Sequence, residues 1–152
     1  MIAPIGKQIL IVEDDRSVAE EMAKTLERMG CEVTAVFTSG EEFMEKVAKG
    51  PHPDLVIMDV SLAGAMDGIQ AGKYVESQMK LPVIYITGHR DKAAMLEEKG
   101  RVPLLKPFTT DDLRAAIDVV FYRLSLREME KENPANERKI PNPQKPNLNL
   151  NN

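Results

Sequence analysis

From Lys7 to Phe108, short apolar and β-branched runs alternate with amphipathic stretches, the pattern of strand–helix units repeated around a parallel sheet. The runs predict strands over Gln8 to Val12, Glu32 to Phe37, Leu55 to Met58, Val83 to Ile86 and Val102 to Leu105. The run at Leu55 is apolar on both faces, as a central parallel strand must be, and it leads directly into Asp59. Between the strands, Val18, Met22, Leu26 and Met29 recur at helical spacing before Gly30, which suits a helix C-terminus. A second helix is capped by Thr38 or Ser39, carries Phe43 and Val47, and ends at Gly50 before Pro51. The third covers about Ile69 to Met79 and the fourth about Lys92 to Glu98. The fifth starts at Thr109 or Thr110, with Asp111 and Asp112 opposing the positive end of its dipole. Leu113, Ile117, Val120 and Leu124 form its buried stripe, and the helical pattern runs on through Leu126 and Met129 until Pro134 stops it. The fold class is therefore α/β.

Composition narrows the organisation. At 152 residues with 43% hydrophobic and 29% charged side chains, the chain suits one soluble domain with a real core. Residues 1–6 read as an N-terminal extension, 7–132 as the domain including an extended last helix, and 133–152 as a disordered tail rich in Asn and Pro. A formal net charge of -4 argues against a nucleic-acid or anionic-membrane partner, which needs a positive field. Cys31 is the single cysteine, so an internal disulfide and a multi-cysteine zinc site are excluded, and its place at a strand start predicts a buried or half-buried side chain. No stretch reads as a signal peptide or reaches the ~20 apolar residues of a membrane span, so the cytoplasm is the expected location.

Open α/β sheets place ligand sites beyond the carboxyl ends of their strands, which gives acids there particular weight. Asp14 and Asp15 follow the first strand and Asp59 follows the third. If those strands are neighbours the three carboxylates converge, repel one another and call for a cation; hard oxygen ligands that leave room for water suit magnesium. Thr87 and Lys106 fall at the ends of the fourth and fifth strands. A lysine ammonium can pair with a carboxylate at rest and with phosphoryl oxygens in a reaction, and a threonine hydroxyl can donate to the same oxygens. The set describes a phosphoryl-transfer site in which Asp59 is the nucleophile.

The elements Ile11-Val12-Glu13-Asp14-Asp15, Leu55-Val56-Ile57-Met58-Asp59, Met66-Asp67-Gly68, Ile86-Thr87-Gly88 and Lys106-Pro107-Phe108 stand in an order and spacing that resemble the receiver domains of two-component response regulators, related to the bacterial chemotaxis regulator. The resemblance covers nearly all of Lys7 to Leu124. It implies a flavodoxin-like, doubly wound parallel sheet of five strands in the order 2-1-3-4-5, flanked by five helices. It further implies Asp59 as phosphoacceptor, with Thr87 and Lys106 assisting. Magnesium would be held by Asp15, Asp59 and the Ser61 backbone carbonyl, with Asp14 acting through a water. The Lys106–Pro107 bond would be cis. A histidine kinase or phosphotransfer protein would be the donor. The implied protein is a cytoplasmic, stand-alone signalling phosphoacceptor that catalyses only its own phosphotransfer and dephosphorylation. Its output would pass through the face of helix four, strand five and helix five to a downstream protein target or a second copy of the chain.

Three departures from the family pattern bear on that output. Three residues before Lys106, where the family usually has an aromatic, stands Pro103, which lacks both ring and backbone donor, so the usual threonine-to-aromatic relay cannot operate and strand five is expected at an edge. The loop from Val60 to Gly68 is one residue longer than the common form, a change that Gly64 and Gly68 can absorb. Ser61 and His89 occupy places that influence phosphoryl lifetime in that family. Other readings fit less well: a flavin carrier of the same fold would put phosphate against Glu13-Asp14-Asp15, and an aspartyl phosphatase would want an acid where Ser61 stands. The remaining alternative is a degenerate receiver that binds partners unphosphorylated, which Pro103 favours and the intact acids, threonine and lysine oppose.

Overall fold

The computed structural model describes residues 4–47, 49–62 and 64–132. Five parallel strands, β1 (Gln8–Val12), β2 (Glu32–Phe37), β3 (Leu55–Asp59), β4 (Val83–Thr87) and β5 (Val102–Leu105), form one sheet in the order β2-β1-β3-β4-β5. The helices are α1 (Arg16–Arg28), α2 (Gly40–Val47), α3 (Gly68–Tyr74), α4 (Arg90–Glu98) and α5 (Thr110–Glu132). The expected flavodoxin-like topology is thus the observed one, with β2 and β5 at the edges and Pro103 on the edge strand, where a missing N–H costs no ladder bond on the open side.

Alternation along the strands divides the core in two. Ile9, Ile11, Ile57, Ile84, Ile86 and Leu104 face α1 and α5, against Met22, Leu26, Leu113, Ile117 and Phe121. Leu10, Val12, Val56, Met58 and Tyr85 face α2, α3 and α4, against Phe43, Val47, Ala71, Val75 and Leu96. β3 and β4 are buried along their whole length, which is why they read as unbroken apolar runs. Cys31 is buried and free, as expected.

Helix ends differ from expectation in informative ways. Ser39 Oγ accepts from Glu42 N at 3.1 Å at the start of α2, so Ser39 rather than Thr38 supplies the cap. The third helical stretch is not uniform: α3 begins on a capping box between Asp67 and Gln70 and then widens into a π-helical segment over Val75–Met79, closed by Lys80 at φ 57°. Pro4 is buried and Gly6 N donates to the Gly30 carbonyl at 2.8 Å, so residues 4–6 pack onto the α1–β2 turn. The Asn- and Pro-rich tail expected over 133–152 lies outside the described residues.

Candidate functional site

The register of the sheet sets the site. Val12 on β1 pairs with Met58 on β3, so the next residues, Glu13 and Asp59, emerge side by side. Glu13 extends the ladder past the end of β1, donating its N–H to Phe37 O at 2.9 Å, and by alternation it lies on the same side as Ile11, as Asp59 does with Ile57. Thr87 closes β4, and Lys106 follows β5 with its N–H on the Thr87 carbonyl at 2.8 Å. These four side chains are gathered at the rim where the carboxyl ends of the strands meet the loops.

Lys106 Nζ donates to Glu13 Oε1 at 2.8 Å and to Asp59 Oδ2 at 3.2 Å. Asp59 Oδ1 accepts from Ser61 N at 2.9 Å, and Glu13 Oε2 accepts from Asp15 N at 3.3 Å. Glu13 and Asp59 are 1% and 3% exposed, and the ammonium reaches them from a half-buried position. Burial raises the Glu13 pKa to about 8, helped by the neighbouring Asp59 and opposed by Lys106. Burial also works against ionisation of Asp59, but hydrogen bonds from Glu13, the Ser61 N–H and Lys106 outweigh it and hold its carboxyl below the usual range. Of the two carboxyls, Glu13 is thus the one held toward its protonated form and Asp59 the one held toward its ionised form. Burial would lower the Lys106 pKa, but Glu13 and Asp59 more than reverse that and raise it, so the lysine stays charged.

The acid cluster corrects one sequence expectation. The carboxylates whose oxygens lie within 4.8 Å of one another belong to Glu13, Asp14 and Asp59. Asp15, expected as a metal ligand, is instead the N-cap of α1, its Oδ1 accepting from Ser17 N at 3.0 Å and Val18 N at 3.3 Å. Glu13 was not among the expected site residues. The signal for it was the β period: residue 13 keeps the parity of Ile9 and Ile11, so its side chain must stand over the same face as Asp59. Glu13, Asp14 and Asp59 form an all-oxygen donor set in which Asp14 is exposed and burial disfavours the charge on Glu13; such a set fits magnesium.

The other expected residues fall around this cluster. Thr87 is fully buried, and its Oγ1 accepts from His89 N at 3.1 Å; His89 itself is exposed at the N-cap of α4. Ser61 is exposed two residues beyond Asp59. The loop back to α3 turns at Gly64, φ 101°, and at Gly68, whose N–H bonds Val60 O at 3.0 Å; a Cβ on Gly68 would overlap the Asp59 carbonyl at 1.8 Å. The Lys106–Pro107 bond is cis. Pro103 pairs in register with Tyr85 on β4, so the aromatic ring in this part of the sheet is carried by β4, fully buried beneath α3.

Comparison with known proteins places this geometry. The family model for the response regulator receiver domain matches residues 9–118. Over 124 residues the chain is 32% identical to the transcriptional regulatory protein PdtaR of Mycobacterium tuberculosis, covering 80% of this chain and 60% of that protein. It is 31% identical over 132 residues to the alkaline phosphatase synthesis transcriptional regulatory protein PhoP of Bacillus subtilis, covering 84% and 54%. The crystal structure of the N-terminal domain of a response regulator/sensory box/GGDEF 3-domain protein from Carboxydothermus hydrogenoformans superposes with a TM-score of 0.69 at 30% identity, covering 80% of this chain and 98% of that one. The chain thus spans little more than half the length of the curated relatives it matches.

Proposed function

Since the chain belongs to the response-regulator receiver family, we propose that it accepts a phosphoryl group on Asp59 from a histidine kinase or phosphotransfer protein in a magnesium-dependent reaction. The observation that carries this is the setting of Asp59, with one carboxylate oxygen on the Ser61 N–H and the other on the Lys106 ammonium, at the rim of the sheet. A carboxylate oxygen attacks phosphorus in line with the bond to the donor imidazole. The P–O bond of an acyl phosphate forms as the P–N bond breaks, and the imidazole leaves with its electron pair and takes a proton. Lys106 follows the charge from the carboxylate to the phosphoryl oxygens, and Thr87 Oγ1 supplies a second donor.

Glu13, Asp14, Asp59 and the Ser61 carbonyl would hold the magnesium, which supplies positive charge against the phosphoryl oxygens. A bound cation would compensate the charge that burial makes costly on Glu13 and so would favour its ionised form. The chain is a signalling phosphoacceptor rather than a turnover enzyme, and the cytoplasm, where the donor kinase domain resides, is its proposed location. Among the described residues no helix is long and apolar enough to cross a membrane. Output passes through the face of α4, β5 and α5 to a protein partner, without nucleic-acid contact by this domain.

The test is incubation with magnesium and acetyl phosphate or beryllofluoride, read by intact mass and NMR, for wild type and Asp59→Asn. A magnesium-dependent adduct in wild type only, with shifts along α4, β5 and α5, is expected. No adduct in wild type would overturn the proposal in favour of an unphosphorylated binding module.

A further inference from the structure

At the amino ends of β4 and β5, the end of the sheet away from Asp59, a cleft of about 400 Å³ opens between the π-helical segment Val75–Met79 and the second half of α5. Its apolar wall is Leu81, Pro82, Val83, Val102 and Leu124. Around that wall stand five cationic side chains, Lys80, Lys99, Arg101, Arg123 and Arg127, and one carboxylate, Glu76. The whole chain carries a formal net charge of -4, so this concentration of positive charge runs against its composition. Glu76 is engaged with Arg101 at 3.0 Å, and among the described residues the other four cations form no ion pair.

Two of the cations have an ordinary structural reason to be there. Lys80 and Lys99 follow helical segments, whose carboxyl ends favour positive charge. Arg123 and Arg127 lie within α5, which continues to Glu132, and four residues apart on one helix their like charges oppose each other. Arg123 is also fixed in place, Nη1 donating to Gly100 O at 2.7 Å, and its fork keeps further donors. Lys80 adopts the left-handed conformation, φ 57°, where glycine would be unstrained. A lysine held there against that cost, and two arginines held side by side, are accounted for by an anion that bridges them.

The cleft also says what kind of anion. Arginine forks match phosphate oxygens and stack on planar rings. The volume of about 400 Å³ falls near the lower end of the ~300–1,000 Å³ of small-molecule sites. The exposed Glu97, Glu98 and Glu128, next in sequence to the lining residues, disfavour a long polyanion. The chain beyond Glu132 is a poor occupant on charge, since it carries Arg138, Lys139 and Lys145 against the single acid Glu137. We propose that this cleft binds a small phosphate-bearing ligand with a planar or apolar body, the chemistry of a nucleoside diphosphate, with Arg123 and Arg127 on the phosphate oxygens and the body against Pro82, Val102 and Leu124. The cleft lies a strand's length from Thr87, roughly 13 Å at ~3.3 Å per residue, so binding there requires neither magnesium nor phosphorylation of Asp59.

The test is a nitrogen-15 NMR titration of the full chain with ADP, GDP, adenosine and pyrophosphate, in EDTA so that the acid cluster at the rim holds no metal. The two diphosphates are expected to give saturable shifts at Lys80, Arg101, Val102 and Arg123 and none at Asp14, Asp59 or Ser61. Adenosine, which lacks the phosphates, and pyrophosphate, which lacks the body, should each bind about tenfold more weakly or worse. Arg123→Gln combined with Arg127→Gln should weaken the diphosphates by about tenfold or more with an unchanged circular dichroism spectrum, the loss of at least one charge-assisted hydrogen bond. Asp59→Asn should bind as wild type. Lys80→Gly suits the left-handed position, so it should keep the urea midpoint of wild type while weakening the diphosphates, which decides the matter if the arginine variant loses its fold. No saturable shift at the cleft with either diphosphate, or shifts that persist unchanged in these variants, would overturn the site. Equal binding of adenosine or of pyrophosphate would overturn the ligand class assigned to it.

Discussion

Two places in the sheet bury polar groups, and they resolve the cost differently. At the rim of β1, β3 and β5, Glu13 and Asp59 are nearly inaccessible, yet both accept from the Lys106 ammonium and Asp59 also accepts from the Ser61 N–H. In the middle of β4, Tyr85 is fully buried and its hydroxyl makes no hydrogen bond. Arg101 and Glu76 lie close by but are engaged with each other at 3.0 Å. The rim opens to solvent through the exposed Asp14 and the half-buried Lys106, so its partners can be exchanged for a ligand. Tyr85 has Gly72 directly above its hydroxyl and Pro103 as its neighbour on β5. The first place can change state; the second is packed shut. An output route that needs an aromatic side chain to swing inward has no candidate at Pro103, and Tyr85 is already inside.

The largest change should come from breaking the compensation at the rim. Lys106→Met removes the ammonium while keeping much of the aliphatic stem. The initial rate of adduct formation from acetyl phosphate, followed by intact mass, is expected to fall ~10²–10³-fold, the usual effect of losing one charge-stabilising donor. Asp59 keeps the Ser61 N–H and Glu13 keeps its proton, so the fold should survive. A rate within threefold of wild type would show that the lysine only fills space between the acids.

A smaller effect should appear in the pH dependence of stability. Glu13 has its pKa raised to about 8 in the fold, so the native state holds more protons than the unfolded chain above the ordinary glutamate range. Its contribution is therefore fully present below that range and is lost as pH rises through about 8. Urea midpoints measured from pH 6 to 9 should fall for wild type, with a shallower slope in Glu13→Gln. Magnesium should protect more strongly at pH 8 than at pH 6, because the cation favours the ionised acid. Equal slopes in the two proteins would place the shared proton elsewhere.

Those two acids also show how far residue patterns reach. Asp59, Thr87 and Lys106 could be placed because each sits at the carboxyl end of a readable apolar run, and the crevice beyond such runs is where an α/β sheet binds ligands. The first strand ends in three consecutive acids, and a capping carboxylate and a site carboxylate are the same chemical group. What separates them is where the strand ends: Glu13 still extends the ladder and keeps the face of Ile11, whereas Asp15 stands directly before α1 and caps it. The fold order came from motif resemblance, because periodicity finds strands without ordering them. The π-helical segment at Val75–Met79 left no mark, since Val75 and Met79 fit an α-helical stripe equally well. The exposed side of α5 was half visible: Leu126 and Met129 extended the helix, but their exposure depended on where the sheet ends.

The packed-shut place yields the last and smallest effects. A Cβ on Gly72 would stand 2.3 Å from the Tyr85 hydroxyl and 2.4 Å from its ring carbon, so Gly72→Ala forces the ring or α3 to move and should cost about 1–3 kcal/mol in urea unfolding. Tyr85→Phe touches the hydroxyl alone. A partnered buried hydroxyl would be missed by roughly 1 kcal/mol or more, whereas an unpartnered one has surrendered its water without compensation, so its removal should be neutral or stabilising by up to ~1 kcal/mol. Rates of phosphoryl uptake should stay within twofold of wild type, because Tyr85 lies two residues back along β4 from Thr87, in the interior of the strand rather than at its end. A clear loss of stability would mean that the Glu76–Arg101 pair does hold the hydroxyl in solution, and a clear loss of uptake would connect the middle of β4 to the rim after all.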